Sequence, residues 1–462
     1  MATDRTHKVP IKNILKRVQF KNSNKVTALV SRHSRLTMFM TVFAVLGIFT
    51  LLLSQAASFS IGIEAENGSI SGGVTTPSDA GASGGRFVLF GSSGGNNGTC
   101  ADGPAFSSAN ICINPQSIQR AATGFNVQND APDQYRPGIA HPEMRAFAAF
   151  RTECQYASTS RNDPIVYPGQ ANAAHWHVFF GNTAADHNLT NPINQGNSTC
   201  TGGTHNKTAY WAPALVETNS YNPSTKQFNL AQTMPQDPMQ DYYKSSYAGV
   251  QSDEVSPFPT GLRMIAGSNP NSRPTSSMST DYLYFDCINS GSAQDVYNGM
   301  YYLTSIPTNC PPGKFIQATI VFPQCGARNP DGSPVIDSPD HRSHMAYPIK
   351  GSGCPPTHPI NYAEIIEHFR WVVPSTGSAG LRFSSDMYPG VAAGWTFHAD
   401  WFNGWNPTTF NTLLNNCYKI SRSQYGGGSG FGLDCGMNLF RPVTPGNYLG
   451  PWQGFRYIYP VN

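Results

Sequence analysis

Two histidines one residue apart, His175 and His177, lie in a short run of aromatic and β-branched residues between a Pro/Gly turn and a Gly-Asn pair. This pattern predicts a β-strand. Because successive side chains of a strand alternate between its faces, both imidazoles should point to the same side. The run at residues 395–402 repeats the arrangement, with His398 and Asp400 among aromatic residues. Such imidazoles can bind a metal ion, transfer a proton or hold a polar ligand.

A third run, at residues 337–348, contains Asp340, His341 and His344, and the three runs together allow three interpretations. In the first, histidines bind one divalent metal ion, zinc or copper. A His-x-His pair with a distant third histidine is an arrangement that catalytic metal sites use, and it leaves a position open for water. The candidate ligands come from all three runs: His175, His177, His344 and His398. The candidates for proton transfer, or for orienting a ligand, are Asp340, His341 and Asp400.

The other two interpretations need no metal. In one, a histidine and a carboxylate from Asp340, Asp400 or Asp186 act as general acid and base on a glycan. The sequence has no pair of carboxylates that would suit a standard glycosidase and no Gly-x-Ser-x-Gly elbow around Ser343, which leaves a lyase or an esterase open. In the other interpretation, the three runs only join loops through hydrogen bonds.

Six short motifs point to one family. In chain order they are HWHVFFGN at 175–182, YWAPAL at 210–215, FPTGLRM at 258–264, FPQC at 322–325, DHRSH at 340–344 and HAD at 398–400. Together they resemble a secreted family, common in fungi and also found in bacteria, that is described only as domain of unknown function nineteen-ninety-six. The resemblance covers residues 147–417 and implies a secreted or wall-associated protein, without supplying an activity. Where that family tends to have an aromatic residue after Cys325, this chain has Gly326, so the loop there should differ.

The charge distribution separates a basic amino-terminal segment from the rest of the chain. Residues 1–35 carry nine Lys/Arg and one acid, whereas the remainder has 21 Lys/Arg against 26 Asp/Glu. A nucleic-acid-binding role would need a basic face on the folded part, and the sequence indicates none. Only 12% of all residues are charged, so Ser, Thr, Asn, Gln and Gly must cover much of the surface. This composition suits an exported protein.

An uncharged, mostly apolar segment at residues 36–58 follows the basic tail. It predicts either a membrane anchor with its amino terminus inside the cell or a signal peptide. Both place the remaining chain outside the cytoplasm. All ten cysteines lie after this segment, and their even number and wide spacing predict disulfides rather than zinc knuckles. Pairing between neighbours, such as Cys287 with Cys310 and Cys325 with Cys354, is one hypothesis.

The predicted organisation has four parts: a basic tail (1–35), the anchor or signal (36–58), a Gly/Ser-rich stalk with a short hairpin similar to a carbohydrate-binding module (59–98), and the exported domain (99–462). Frequent Pro and Gly and many short strand-like runs predict a mainly β domain, a β-sandwich or jelly roll with long loops. Strands are expected at 315–322, 380–383, 395–402 and 454–459, and helices at 362–369 and 409–420.

The function predicted from these features is that of a cell-surface or secreted enzyme, a hydrolase or lyase. It would act on an extracellular polysaccharide or another wall polymer through a His/Asp cluster that holds a divalent metal. The alternative is a non-catalytic surface protein that binds glycan or metal through the same residues. The two hypotheses differ in whether the histidines converge around an open, water-accessible position.

Overall fold

The computed structural model describes Cys100, residues 111–121, residues 148–421 except 236–237, 246–249, 291–294 and 387, and residues 423, 431 and 435. This part of the chain contains 17 strands in four sheets and one short α-helix, which confirms the prediction of a mainly β protein. No helix in it is long and apolar enough to cross a membrane. The predicted tail, anchor or signal, stalk and strand at 454–459 lie outside the described residues.

The sheet that carries the histidines has five strands in the order β3-β4-β5-β17-β9, with every neighbouring pair antiparallel. Its strands are β3 (Tyr156–Ser160), β4 (His177–Gly181), β5 (Ala209–Pro213), β17 (His398–Phe402) and β9 (Arg263–Gly267). One face contributes Val178, Phe180, Tyr210 and Trp401 to the main hydrophobic core. The other face carries a smaller apolar cluster that includes Phe179, Trp211 and Phe402, and it also carries the histidines.

A second five-stranded sheet contributes side chains to the same main core. Its order is β10-β11-β15-β8-β2, again antiparallel throughout, with β10 (Leu283–Ile288), β11 (Phe315–Val321), β15 (Glu364–Val372), β8 (Met239–Lys244) and β2 (Ala149–Cys154). Phe180 of the histidine-bearing sheet lies 5.5 Å from Phe369 of this sheet, measured between ring centroids. Both sheets therefore contribute apolar side chains to one hydrophobic core, and burial of such side chains is the main favourable term in folding.

Two smaller sheets complete the described strands. The first has four strands, β1 (Cys112–Ile113), β7 (Gln227–Leu230), β6 (Leu215–Asn222) and β16 (Leu381–Phe383). The second has three, β13 (Met345–Ala346), β12 (Cys325–Gly326) and β14 (Ile360–Asn361). The strands predicted at 315–322, 380–383 and 395–402 are confirmed by β11, β16 and β17.

One of the two predicted helices is wrong. Residues 362–369 lie largely in strand β15, which pairs with β11 and β8. Both faces of this strand are buried: Ile365 and Phe369 enter the main core, while Ile366 belongs to a separate apolar cluster on the other side. A strand that buries both faces loses the alternation of apolar and polar residues. The spacing of its apolar residues therefore resembled that of a helix.

The other predicted helix, at 409–420, is confirmed. Helix α1 spans Pro407–Leu413 and continues into a π-helical turn at Leu414–Tyr418. It begins where Asn406 accepts a hydrogen bond from the backbone N–H of Thr409 and Pro407 occupies the first turn, two features that favour a helix start. Its apolar side chains pack into the main core.

All ten cysteines form disulfides, as the sequence predicted. The pairs are Cys100–Cys112, Cys154–Cys200, Cys287–Cys310, Cys325–Cys354 and Cys417–Cys435. Each cysteine is joined to its neighbour in the sequence, and the two pairings hypothesised above are correct. Five disulfides indicate an extracellular or otherwise oxidising environment.

Candidate metal centre

His175 and His177 lie next to each other at the start of strand β4. His177 is the first residue of β4, and its Nδ1 lies 2.9 Å from the carbonyl oxygen of Asn162. His175 lies just before the strand, and the centroids of the two rings are 4.2 Å apart. The prediction that both imidazoles point to the same side therefore holds. The end of β4 is also constrained: Gly181 has φ +78°, and a Cβ there would lie 2.3 Å from the carbonyl oxygen of Thr208.

His398 reaches the pair across strand β5. In the sheet register Pro213 of β5 is opposite His177, and Trp211, two residues earlier, is opposite Asp400. Residues two apart in a strand share a face, so His177, His398 and Asp400 all project from the same side of the sheet. The ring of His398 lies 5.0 Å from that of His175 and 5.9 Å from that of His177. The histidines thus converge above the central strand.

Two of the rings have their tautomers fixed by the backbone. Nδ1 of His398 lies 3.0 Å from the carbonyl oxygen of Thr396, as Nδ1 of His177 does from that of Asn162. A carbonyl oxygen only accepts hydrogen bonds, so Nδ1 must carry the proton in both rings. Nε2 of each neutral ring is then a lone-pair donor. This is the arrangement in which proteins present histidine to a metal ion.

The atoms at the centre of the cluster lack hydrogen-bond partners. Within the described residues, Nε2 of His175, Nε2 of His177 and both carboxylate oxygens of Asp400 are buried and have no partner. Asp400 Oδ2 lies 4.0 Å from Nε2 of His398. One nitrogen from each of the three histidines falls within 4.8 Å of the other two. Buried polar atoms without partners are uncommon and need an explanation such as an ion or water.

A second aspartate, Asp163, extends the cluster and was not predicted. An oxygen of Asp163, a nitrogen of His177 and an oxygen of Asp400 also lie within 4.8 Å of one another. The position of Asp163 is fixed because its Oδ1 accepts hydrogen bonds of 2.9 Å from the backbone N–H groups of Ile165 and Val166. In the sequence it looked like part of a turn. The sequence feature that could have indicated it is the position of Asp163 at the start of the Pro/Gly turn before strand β4.

Burial holds this cluster in its neutral form. It lowers the pKa of His175 well below its usual value, and His177, His398 and Arg161 lower it further. Burial also lowers the pKa of His398 and raises the pKa of Asp400, with Asp163 adding to the latter. Neutral imidazoles are the form in which histidine binds a cation, whereas the carboxyl of Asp400 would release its proton when a cation binds. The three imidazoles and the carboxylate fit a divalent transition metal.

The cluster opens onto a cavity of about 660 Å³. Three members of the cluster, His175, His398 and Asp400, line it together with Asp163. The volume falls within the range of sites for small molecules, which runs from roughly 300 to 1,000 Å³. A ligand in the cavity would therefore reach the cluster directly.

The family comparison agrees with this location. The family described as Domain of unknown function (DUF1996) matches residues 163–405. The chain belongs to this family. The match begins at Asp163 and contains His175, His177, His398 and Asp400. Neither the curated proteins nor the solved structures contain a match to this DUF1996 chain.

The DHRSH loop of this DUF1996 domain brings two predicted residues to the cavity. Asp340 and His341 both line it. Oδ1 of Asp340 accepts hydrogen bonds from the hydroxyls of Ser338 and Ser343, which, with two backbone N–H groups, lower its pKa. Nδ1 of His341 lies 2.9 Å from Oδ1 of Asp337. His341 has φ +56°, a conformation that residues other than glycine rarely adopt and that clusters at functional sites.

The fourth predicted metal ligand, His344, lies elsewhere. Its Nε2 is 2.7 Å from the carbonyl oxygen of Arg263, and its Nδ1 is 2.9 Å from the hydroxyl of Ser338. Both ring nitrogens are therefore engaged, and the side chain does not line the cavity. The structure brings His175, His177, His398 and Asp400 together but does not bring His344 to them. The catalytic roles of Asp340, His341 and Asp400 stay predictions.

Proposed function

We propose that this protein is an exported, metal-dependent enzyme, a hydrolase or lyase that acts on an extracellular polysaccharide or another wall polymer. One observation carries the proposal: unpartnered ligand atoms of His175, His177 and Asp400 converge with His398 beside an open cavity. A site that served only to join loops would have its polar atoms hydrogen-bonded to those loops. Here His177 and His398 use only Nδ1 for such bonds, to backbone carbonyl oxygens, and Nε2 of each ring faces the centre of the cluster.

The proposed ligands are His175, His177 and His398, with Asp400 as a fourth ligand and Asp163 beside it. His344 is not included. A divalent ion held there would polarise a substrate oxygen or lower the pKa of water. Catalytic metal sites keep one side open to substrate, and the cavity supplies that side.

His341 is the residue best placed to transfer protons. It lines the same cavity, and the carboxylate of Asp337 holds its ring through Nδ1. Asp337 is itself held by Arg263, whose Nη1 lies 3.2 Å from Oδ2. A histidine oriented by a carboxylate is a common general acid or base near neutral pH. Asp340, by contrast, uses one oxygen to shape the loop that presents His341.

Export and the two-layer architecture complete the proposal. The disulfides support export, with residues 36–58 acting as a membrane anchor or a cleaved signal. The two five-stranded sheets, which share one core, would form the layers of a β-sandwich. In this arrangement the metal centre lies on the outer face of one layer, where a polymer has access.

Elemental analysis of the purified full-length protein tests the metal centre. We expect about one equivalent of zinc, copper or another divalent metal in the wild type. The double variant His175→Ala/His177→Ala should lose it, whereas the control His344→Gln should retain it. Absence of metal from the wild type, even after incubation with divalent ions, would overturn the proposal.

Activity assays test the enzymatic part. The metal-loaded protein is incubated with cell-wall polysaccharides, and new chain ends are measured. His341→Gln should keep the metal and lose about 10²-fold or more of the rate, in keeping with general acid–base catalysis. Metal binding without release of chain ends from any polymer would favour the non-catalytic surface protein.

A further inference from the structure

The side chain of Arg161 lines the cavity beside the candidate metal centre. Arg161 directly follows β3, and its Nε donates a 2.9 Å hydrogen bond to the carbonyl oxygen of Ala174. The backbone carbonyl of Arg161 in turn accepts a hydrogen bond from the N–H of Ala174. Ala174 immediately precedes His175 in the sequence. The guanidinium is therefore fixed close to the first histidine of the cluster.

The two terminal nitrogens of Arg161 are not used by the protein. Among the described residues, neither Nη1 nor Nη2 has a hydrogen-bond partner, and no carboxylate forms an ion pair with the side chain. The other arginine that lines the cavity, Arg342, differs in this respect. Its Nη1 and Nη2 donate to the carbonyl oxygens of Gly267 and Ser268, at 2.9 and 3.0 Å. The terminal nitrogens of Arg342 hold the DHRSH loop against β9, whereas Arg161 uses only Nε for a structural hydrogen bond.

Among the described residues, none of the three carboxylates that line the cavity pairs with Arg161. Oδ1 of Asp163 is bonded to backbone N–H groups, Oδ1 of Asp340 shapes its loop, and Asp400 faces the histidines. An arginine held by Nε presents its two remaining N–H edges as a rigid fork, which matches the two oxygens of a carboxylate.

We infer that Arg161 binds a carboxylate of the substrate next to the metal centre, so that the polymer is an acidic polysaccharide containing uronic acid residues. This inference rests on the proposed function, since it names the substrate class of the same site. The fork of Arg161 would hold the carboxylate while a neighbouring oxygen of the sugar faces the histidines. A sulfate ester offers the same kind of oxygen atoms, and binding measurements with both types of oligosaccharide separate the two sources.

Equilibrium binding of oligosaccharides to the full-length protein tests the inference. The probes are oligomers of galacturonate, glucuronate and mannuronate, the methyl ester of each, and a sulfated neutral oligosaccharide. We expect at least one uronate oligomer to bind tenfold or more tightly than its methyl ester. In Arg161→Gln that preference should fall to less than threefold, and in Arg161→Lys it should be intermediate, because the charge remains without the fork. The control Arg120→Gln, at an exposed position outside the cavity, should behave as the wild type.

The outcomes distinguish this inference from the proposed function. No preference for any uronate over its ester, or a preference that survives in both Arg161 variants, would overturn the inference. Tight binding of only the sulfated probe, lost in Arg161→Gln, would also overturn the assignment to a carboxylate. The measurements are repeated in the His175→Ala/His177→Ala variant. Loss of metal there with a retained uronate preference would show that carboxylate binding at Arg161 is independent of the metal. The failure of the metal proposal can then be distinguished from the failure of the carboxylate proposal. Thermal unfolding of each variant verifies that it is folded.

Discussion

Two regions of the molecule bury carboxyl groups that lack hydrogen bonds of good geometry within the described residues, and they differ in what surrounds them. One is the candidate metal centre formed by His175, His177, His398 and Asp400. The other is a row of three side chains in the main core, Thr152, Asp241 and Glu367, which lie opposite one another across β2, β8 and β15. All three are fully buried, and Thr152 Oγ1 and the four carboxyl oxygens have no hydrogen bond of good geometry within the described residues.

The core row contains only oxygen ligands and does not line the cavity, whereas the metal centre combines imidazoles with an open side. Burial raises the pKa of Glu367 well above its usual value and that of Asp241 to about 7. The hydroxyls of Tyr210 and Tyr243 lower the pKa of Asp241 only in part. No basic side chain of the described residues offsets either carboxyl. Protonation is therefore the simplest way for the core row to avoid buried charge.

The comparison shows that missing partners do not by themselves identify a ligand site. A carboxyl pair can become neutral by taking up protons and then needs no ion. The imidazoles of the metal centre are already neutral, and their inner lone pairs still face one another without a donor. Access to a cavity and lone pairs fixed by backbone carbonyls are what separate the two regions.

The largest effect expected is on the pH dependence of stability at the core row. Between about pH 4 and pH 7 the folded protein keeps the proton of Asp241 while the unfolded chain has lost it, so the free energy of unfolding falls as pH rises. A proton held over this range contributes about 1.4 kcal/mol per pH unit, or roughly 4 kcal/mol in total. Asparagine cannot titrate, so the Asp241→Asn variant should lose the part of the slope that Asp241 contributes, while Glu367 keeps its own part. Urea unfolding of the metal-free protein at several pH values measures how the free energy of unfolding changes with pH. Equal slopes in the wild type and in Asp241→Asn would show that the carboxyl of Asp241 is not neutral in the folded protein.

The next effect concerns metal affinity and uses the same substitution in both regions. Asp400→Asn should weaken metal binding by about 100-fold, equivalent to roughly 2.7 kcal/mol, because it removes a carboxylate that faces the ion. Asp241→Asn should leave the affinity unchanged. Competition with a chelator of known affinity measures both values. A similar loss in the two variants would mean that the regions are coupled and that the distinction drawn here fails.

The sequence predicted the parts of the metal centre that depend on local periodicity. The alternation of strand side chains places His398 beside Asp400 in β17, and the same expectation gave the correct side for His175 although this residue lies just before β4. It could not show that β5 lies between these strands, because the register of strands distant in the sequence depends on the whole sheet. Asp163 was missed for a similar reason, since its contribution comes from a turn that folds back beside His177.

The fold shows the same limit. The formation of disulfides and the helix at 409–420 were predictable from local features, whereas the pairing between neighbouring cysteines was one hypothesis that the structure supports. Strand β15 was not, because burial on both faces removed the alternation that identifies a strand. His344 was grouped with the ligands because it shares a short run with Asp340 and His341. The loop turns at His341, however, and directs His344 towards the carbonyl of Arg263.

The smallest effect distinguishes His344 from the histidines of the metal centre. Replacing it with glutamine removes at least one of two buried hydrogen bonds, to the carbonyl of Arg263 or to Ser338, and should lower the free energy of unfolding by about 1 to 1.5 kcal/mol. Metal content should stay the same, because neither ring nitrogen is available to an ion. Chemical unfolding and elemental analysis of His344→Gln measure the two quantities on the same preparation. If the metal is lost while stability is unchanged, His344 is a ligand and the loop must take a different position when the ion is bound.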